Sequence, residues 1–165
     1  MFKRLVMMLA LAGLVGAEQR YQSQGLSFEL PLEFSQPARA GVDAQELHFP
    51  AEGAPEAEIL TFVASGEQVR SLAEAGQSVH RYFLSTYLGL SGTPEQINKA
   101  VIGDVGGRHL VYHSQLNRPC RIDIFERDLK DGRYFAVALR SYESMDDKRR
   151  IEVSEGLRKS LRLGP

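Results

Sequence analysis

The sequence holds one cysteine, Cys120, and no tryptophan. A lone thiol excludes an intramolecular disulfide, so packing alone must hold the fold, even in a compartment that permits disulfides. Cys120 itself reads as a small buried hydrophobe. Neither sign of charge is in excess: 20 Lys and Arg stand against 21 Asp and Glu. That balance argues against a nucleic-acid partner, which favours a basic face, and against purely electrostatic docking on an anionic membrane. No apolar run reaches the roughly 20 residues that span a bilayer. No serine sits in a Gly-x-Ser-x-Gly elbow. The run from Gly103 through Gly106 and Gly107 lacks the spaced glycines and the Lys-Ser/Thr pair of a phosphate loop.

The clearest positive feature is the start. Lys3 and Arg4 precede an apolar run from Leu5 to Val15, and small residues follow at Gly16 and Ala17. This is the pattern of an export signal over residues 1–17, with Val15 and Ala17 at the −3 and −1 positions of a cleavage site between Ala17 and Glu18. The expectation is therefore an exported protein, periplasmic or secreted. Residues 18–165 would form one domain, long enough to bury a core and with no transmembrane segment.

Along that domain, residues 18–25 are polar and read as loose. Leu26 to Leu30 alternates apolar and polar as a half-buried strand does, and Pro31 ends it. Residues 35–44 and 50–55 read as loop and turn, with a short strand at 46–49 between them and a more buried one at 58–64. Ser65 and Gln68 have capping-box spacing. One long helix is predicted from there to about Leu88, with Val69, Leu72, Gly76, Val79, Phe83 and Thr86 inward and Gly89 as its left-handed stop. Gly76 on that stripe suggests close contact between helix and sheet. Strands follow at 97–105, 108–115, 120–127 and 134–142. Gly106-Gly107 and Asp131-Gly132 read as two-residue hairpin turns. The last helix starts near Ser144 and carries Ile151, Ser154, Leu157 and Leu161 on its inner face.

Strands in sequence order imply hairpins. The expected fold is α+β: an antiparallel sheet of about six strands, with a long central helix and a C-terminal helix packed on it. A two-residue turn at Asp131-Gly132 places Asp123 opposite Arg140 and Ile124 opposite Leu139. Ile122, Ile124, Val137 and Leu139 then share one buried face, with Phe83 and Leu157 in the helices packed on the sheet.

This order of elements resembles the PsbP-like superfamily, which includes the extrinsic photosystem II protein, the Ran-binding Mog proteins and bacterial DcrB-type periplasmic proteins. The residues carrying the likeness are the opening Leu26-Ser27-Phe28-Glu29-Leu30-Pro31, the helix after the third strand, and the ending. That ending is the strand Phe135 to Leu139 and a helix closing on Ile151, Ser154, Ser160, Leu161 and Leu163. The resemblance implies a non-enzymatic binding or accessory protein of the envelope, with no catalytic motif to carry over.

Two other functions remain open. A turn at Gly106-Gly107 would bring Asp104 opposite His109, half of a hydrolase triad, in a small exported hydrolase. A self-associating envelope protein is the third reading. No metal or cofactor is expected. His109 and His113 lie about 13 Å apart on an extended strand, too far to share one zinc, and His48 and His80 have no ligand-type neighbours in sequence. The basic triplet Lys148-Arg149-Arg150 reads as a solvated helix face.

Overall fold

The computed structural model describes residues 18–31, 34, 38–39, 44–49, 55–115 and 118–164. The predicted signal, including Ala17, lies outside these residues, as does most of the loops read at 35–43 and 50–54.

The described chain begins with a hairpin where loose structure was expected. β1 (Glu18–Ser23) pairs antiparallel with β2 (Leu26–Pro31), Ser23 opposite Leu26. Gln24 and Gly25 both take positive φ, 50° and 78°, the type I′ geometry whose twist suits a two-residue hairpin. β1 carries little apolar signal beyond Tyr21, which stacks on Phe28 with ring centroids 4.6 Å apart. Backbone pairing to β2 supplies the rest.

Two further short strands, β3 (Ala38–Arg39) and β4 (Ala44–Phe49), lead to β5 (Ala57–Ala64), which is buried along most of its length. α1 (Gly66–Glu74) starts where Ser65 Oγ accepts from the Gln68 N–H at 3.2 Å. The single long helix does not form. Gly76 takes φ +73° and a Cβ there would meet nothing within 4 Å. It is therefore a left-handed helix stop rather than a contact with the sheet. The chain restarts at the Ser78 cap as α2 (Val79–Phe83) and runs into a π-turn, Leu84–Leu88, that ends at Gly89 with φ +63°. The wider turn carries Leu84 and Leu88 inward and leaves Thr86 exposed.

Four long strands follow: β6 (Gln96–Ile102), β7 (Val105–Ser114), β8 (Cys120–Asp128) and β9 (Tyr134–Tyr142). α3 (Asp147–Ser160), capped by Asp146, and β10 (Arg162–Leu163) close the chain. α3 turns Val153 and Leu157 inward and leaves Ile151 53% exposed, so its inner stripe is rotated from the one expected.

Instead of one six-stranded sheet, the described residues form two antiparallel sheets. The small one runs β1-β2-β10 and the large one β3-β4-β5-β9-β8-β7-β6. One face of the large sheet, with Ile59, Phe125, Val137 and Leu139, packs against the small sheet and Leu157 of α3. The opposite face, with Phe62, Ile122, Ile124 and Ala138, packs under Val79 and Phe83 of α2. Because β9 is covered on both sides, Tyr134 to Leu139 read as a continuous apolar run rather than an alternating one; β8, equally covered, alternates in sequence and buries Asp123 and Glu126.

Both hairpin turns differ from the expected ones, and each shifts a register. Between β8 and β9 the loop is Lys130-Asp131-Gly132. Gly132 donates to the Leu129 carbonyl and takes φ +83°, while Leu129 and Arg133 pair. This is a type I turn closed by a left-handed glycine, one residue longer than the two-residue form. Asp123 then lies opposite Leu139, and Ile124 opposite Ala138. Ile122 and Ile124 consequently face away from Val137 and Leu139, although all four are buried. Arg140 pairs with Glu58 across β5 at 2.9 Å rather than with Asp123.

Between β6 and β7 the turn is Gly103-Asp104, with Ile102 opposite Val105 and Gly103 at φ +62°. Glycine in the first central position with a residue of negative φ after it is the type II′ pattern. Gly106 and Gly107 lie inside β7, opposite Val101 and Ala100.

Candidate functional site: the uncovered face of β6 and β7

Asp104 and His109 do not meet. Asp104 sits in the turn, while His109 lies opposite Asn98. His109 Nε2 contacts the Asp123 carboxylate instead, at 2.8 Å, and its ring stacks on Phe125 at 4.7 Å. Arg121 grips the same carboxylate twice, both contacts at 2.9 Å. Burial alone would push the Asp123 carboxyl up, but the bonds from His109 and Arg121 outweigh it and hold it at about 2. None of these contacts to the ring comes from a nucleophile. The group is built as a buried charge clamp between β7 and β8.

Asp123 is ionised in the folded state far below its ordinary value of 3.8. Its stabilisation is complete above about pH 4 and is lost as pH falls towards 2, about 2 kcal/mol in all. Acid titration of unfolding, compared with Asp123→Asn, should show the wild type losing this increment over that interval. A variant with the same acid profile as the wild type would contradict it.

A second buried carboxylate lies on the other face. Glu126 is fully buried and receives the Tyr134 hydroxyl and His80 Nδ1 on Oε2, the latter at 2.6 Å. Its Oε1 lies 2.6 Å from Arg108 Nη2, close enough for charge compensation but without an aligned hydrogen bond. Burial raises the Glu126 carboxyl, and the His80 and Tyr134 bonds with the Arg108 charge more than reverse that rise. Burial, together with the Glu126 charge, pushes the Tyr112 and Tyr134 hydroxyls up. Through His80, this carboxylate ties α2 to the sheet.

Past Glu126 the helices stop, and no other element among the described residues covers the sheet. Ile97, Lys99 and Val101 of β6 alternate with residues that face α3, and all three are exposed, Ile97 at 64% and Val101 at 58%. Lys99 stands directly opposite Arg108. Two cations facing each other across a strand pair are destabilising. Arg108 is compensated by Glu126 beneath it, but Lys99 has no ion-pair partner among the described residues. Behind Lys99 lies a hollow of about 730 Å³, lined by Val101, Gly106, Gly107, Arg108, Glu126 and Asp128 among others.

The two glycines do different work here. A Cβ on Gly107 would press on Ile102 Cδ1 at 2.5 Å and on the Glu126 carbonyl at 2.8 Å, so only glycine fits. A Cβ on Gly106 would meet nothing within 4 Å and would project into the hollow opposite Val101. The hairpin reading of this pair hid both roles.

A hollow of about 520 Å³ at the opposite end of β8 is lined by His113, Cys120, Arg121, Asp146, Asp147 and Arg150 among others. Most of its charges are already engaged. Arg121 holds Asp123, Arg150 holds Asp147 at 3.0 Å, and Asp146 caps α3. Arg150, read as solvated, lies folded against its own helix. Burial pushes the Cys120 thiol up, away from the thiolate a nucleophile needs. His113 meets Glu95 at 2.8 Å, and no cluster of metal-ligating groups occurs among the described residues.

No family model and no curated protein sequence matches this chain. Solved structures do. The yeast Ran-binding protein Mog1p from Saccharomyces cerevisiae superposes with a TM-score of 0.57 at 7% identity, over 89% of this chain and 95% of Mog1p. The cyanobacterial PsbP protein of Synechocystis superposes with a TM-score of 0.53 at 12% identity, over 96% of this chain and 98% of its own. This chain has the PsbP/Mog1 fold. A Bacteroides thetaiotaomicron protein also matches, at a TM-score of 0.57 and 10% identity over 88% of this chain, and there this chain spans about half the longer protein, 48%. The likeness is one of fold. At these identities it transfers no site residue, and the β6–β7 face is a property of this chain's own residues.

Proposed function

We propose that this protein is an exported binding or accessory module of the cell envelope that docks a partner protein on the uncovered face of β6 and β7. The observation that carries the reading is the exposure of Ile97 and Val101 on either side of Lys99, itself opposed by Arg108. Exposed aliphatic groups around a lysine that faces a like charge and has no ion-pair partner among the described residues cost stability in the free protein. Apolar contact and opposite charge from a partner would recover it. Mog1p, of the same fold, is a Ran-binding protein, which is compatible with a protein partner here. The cationic start and short apolar run of residues 1–17 support export. The separation of Asp104 from His109 removes the geometry on which the hydrolase reading rested.

The test is site-specific. A photo-crosslinking side chain replacing Ile97 should give a discrete protein adduct in the envelope fraction of the producing cell, on a chain that begins at Glu18. The same group replacing Ile151, also exposed but on α3, should give none. Adducts from both positions or from neither would contradict the reading, and mature protein retaining Met1 would contradict export.

A further inference from the structure

We infer that the partner is held by strand pairing: an extended segment with the pattern apolar-x-acidic-x-apolar adds to the open edge of β6. This rests on the docking face proposed above and specifies how it is used.

Among the described residues β6 is the last strand of the large sheet and pairs only with β7. In an antiparallel pair, alternate residues turn both backbone polar groups towards the neighbour and the others turn both away. The tight turn makes Ile102 and Val105 a mutually bonded pair, so Ile102, Ala100 and Asn98 point towards β7. Val101, Lys99 and Ile97 therefore point outward. The Val101 carbonyl confirms this phase, since it accepts from Arg158 Nη1 of α3 at 2.7 Å. Gly103 is likewise taken, donating to the Arg158 carbonyl at 2.6 Å. The end of α3 thus closes the edge at Val101–Gly103 and leaves the outward amides and carbonyls of Ile97 and Lys99 for an incoming strand.

The side chains at those same positions read the partner's sequence. Ile97, Lys99 and Val101 project on one face, two residues apart, and so would the residues opposite them. An acidic residue opposite Lys99 supplies the charge it lacks, with apolar residues two places to either side against Ile97 and Val101. Proline is excluded where the partner must donate. Self-pairing of β6 with a second copy does not fit. The strand Gln96-Ile97-Asn98-Lys99-Ala100-Val101-Ile102 has no acid, and two-fold pairing about Lys99 would set lysine against lysine. Lysine on an exposed edge guards against such pairing, while leaving the edge open to an acidic strand.

The probe is a library of random dodecapeptides displayed on phage, selected on the purified protein. The expected winners lack proline in their core and share the apolar-x-acidic-x-apolar pattern. A synthetic peptide of that consensus should slow amide exchange at Ile97 and Lys99, read by NMR, and leave Gly103 unchanged. Lys99→Glu should weaken it at least about tenfold, and a peptide with lysine at the central position should bind that variant in its place. Selection of no peptide or of another pattern, or protection elsewhere, would overturn strand pairing. So would a dimer with protected β6 amides. A discrete adduct from Ile97 alongside any of these failures would leave the docking face standing. Loss of the adduct as well would remove both.

Discussion

Gly103→Ala should destabilise the protein by about 2–5 kcal/mol. Two effects add. The residue sits at φ +62°, a left-handed conformation that costs an L-residue about 1–2 kcal/mol. A Cβ there would also overlap the Leu161 carbonyl oxygen and lie 2.7 Å from Arg162 Nη1. The arginine head can swing away. Leu161 cannot, because its backbone joins the end of α3 to β10 and its side chain is fully buried. Such overpacking costs about 1–3 kcal/mol more. Gly106→Ala is the control. With open space around it and an ordinary φ, it should be neutral or stabilising by up to about 1 kcal/mol. Denaturant midpoints of the two variants therefore discriminate between the turns. If Gly106-Gly107 formed the hairpin turn, the order of costs would reverse.

Glu126→Ala should cost about 2–4 kcal/mol. Breaking a buried ion pair commonly costs about 3–5 kcal/mol, because a charge is stranded out of water. Here His80 and Arg108 retain side-chain exposures of 26% and 49%, so both can rehydrate and that penalty shrinks. The Tyr134 hydroxyl cannot, since the residue is 1% exposed. An orphaned buried donor costs about 1–3 kcal/mol, and the vacated volume adds to it. The double variant Glu126→Ala/Tyr134→Phe should therefore lose less than the sum of the two single losses, by about 1 kcal/mol or more. Strict additivity would mean that the tyrosine bond contributes nothing to the network. Glu126→Ala should also loosen α2, since His80 reaches the sheet through this carboxylate.

What could be read in advance follows from how local each signal is. β2, β5 and β9 were legible because alternation or apolar runs mark them directly. Ser65 and Gly89 were legible because a helix cap is a matter of one or two residues. β1 was not, since its polar residues are held by hydrogen bonds to β2 that leave no hydropathy trace. The break at Gly76 carried a signal, a glycine within a periodic stretch, that has two physical readings, close packing or a left-handed stop. Only the empty space around it decides between them. The turn at Gly103-Asp104 was equally visible as a hairpin dipeptide but competed with Gly106-Gly107, and a choice three residues out carried His109 away from Asp104. At Asp131-Gly132 the dipeptide was correct and the loop one residue longer, enough to move Asp123 from Arg140 to His109 and Arg121. The docking face was hidden for a different reason. Ile97-x-Lys99-x-Val101 looks like any half-buried strand, and nothing local tells that α1 and α2 end before reaching it.

The most direct measurement of the central claim is partner cross-linking from position 97 in the Gly106→Leu background. A side chain at Gly106 enters open space, so the variant should fold with an unchanged unfolding midpoint while filling the hollow opposite Val101. Loss of the Ile97 adduct from this folded protein is the predicted result. An undiminished adduct would contradict it and place the partner elsewhere.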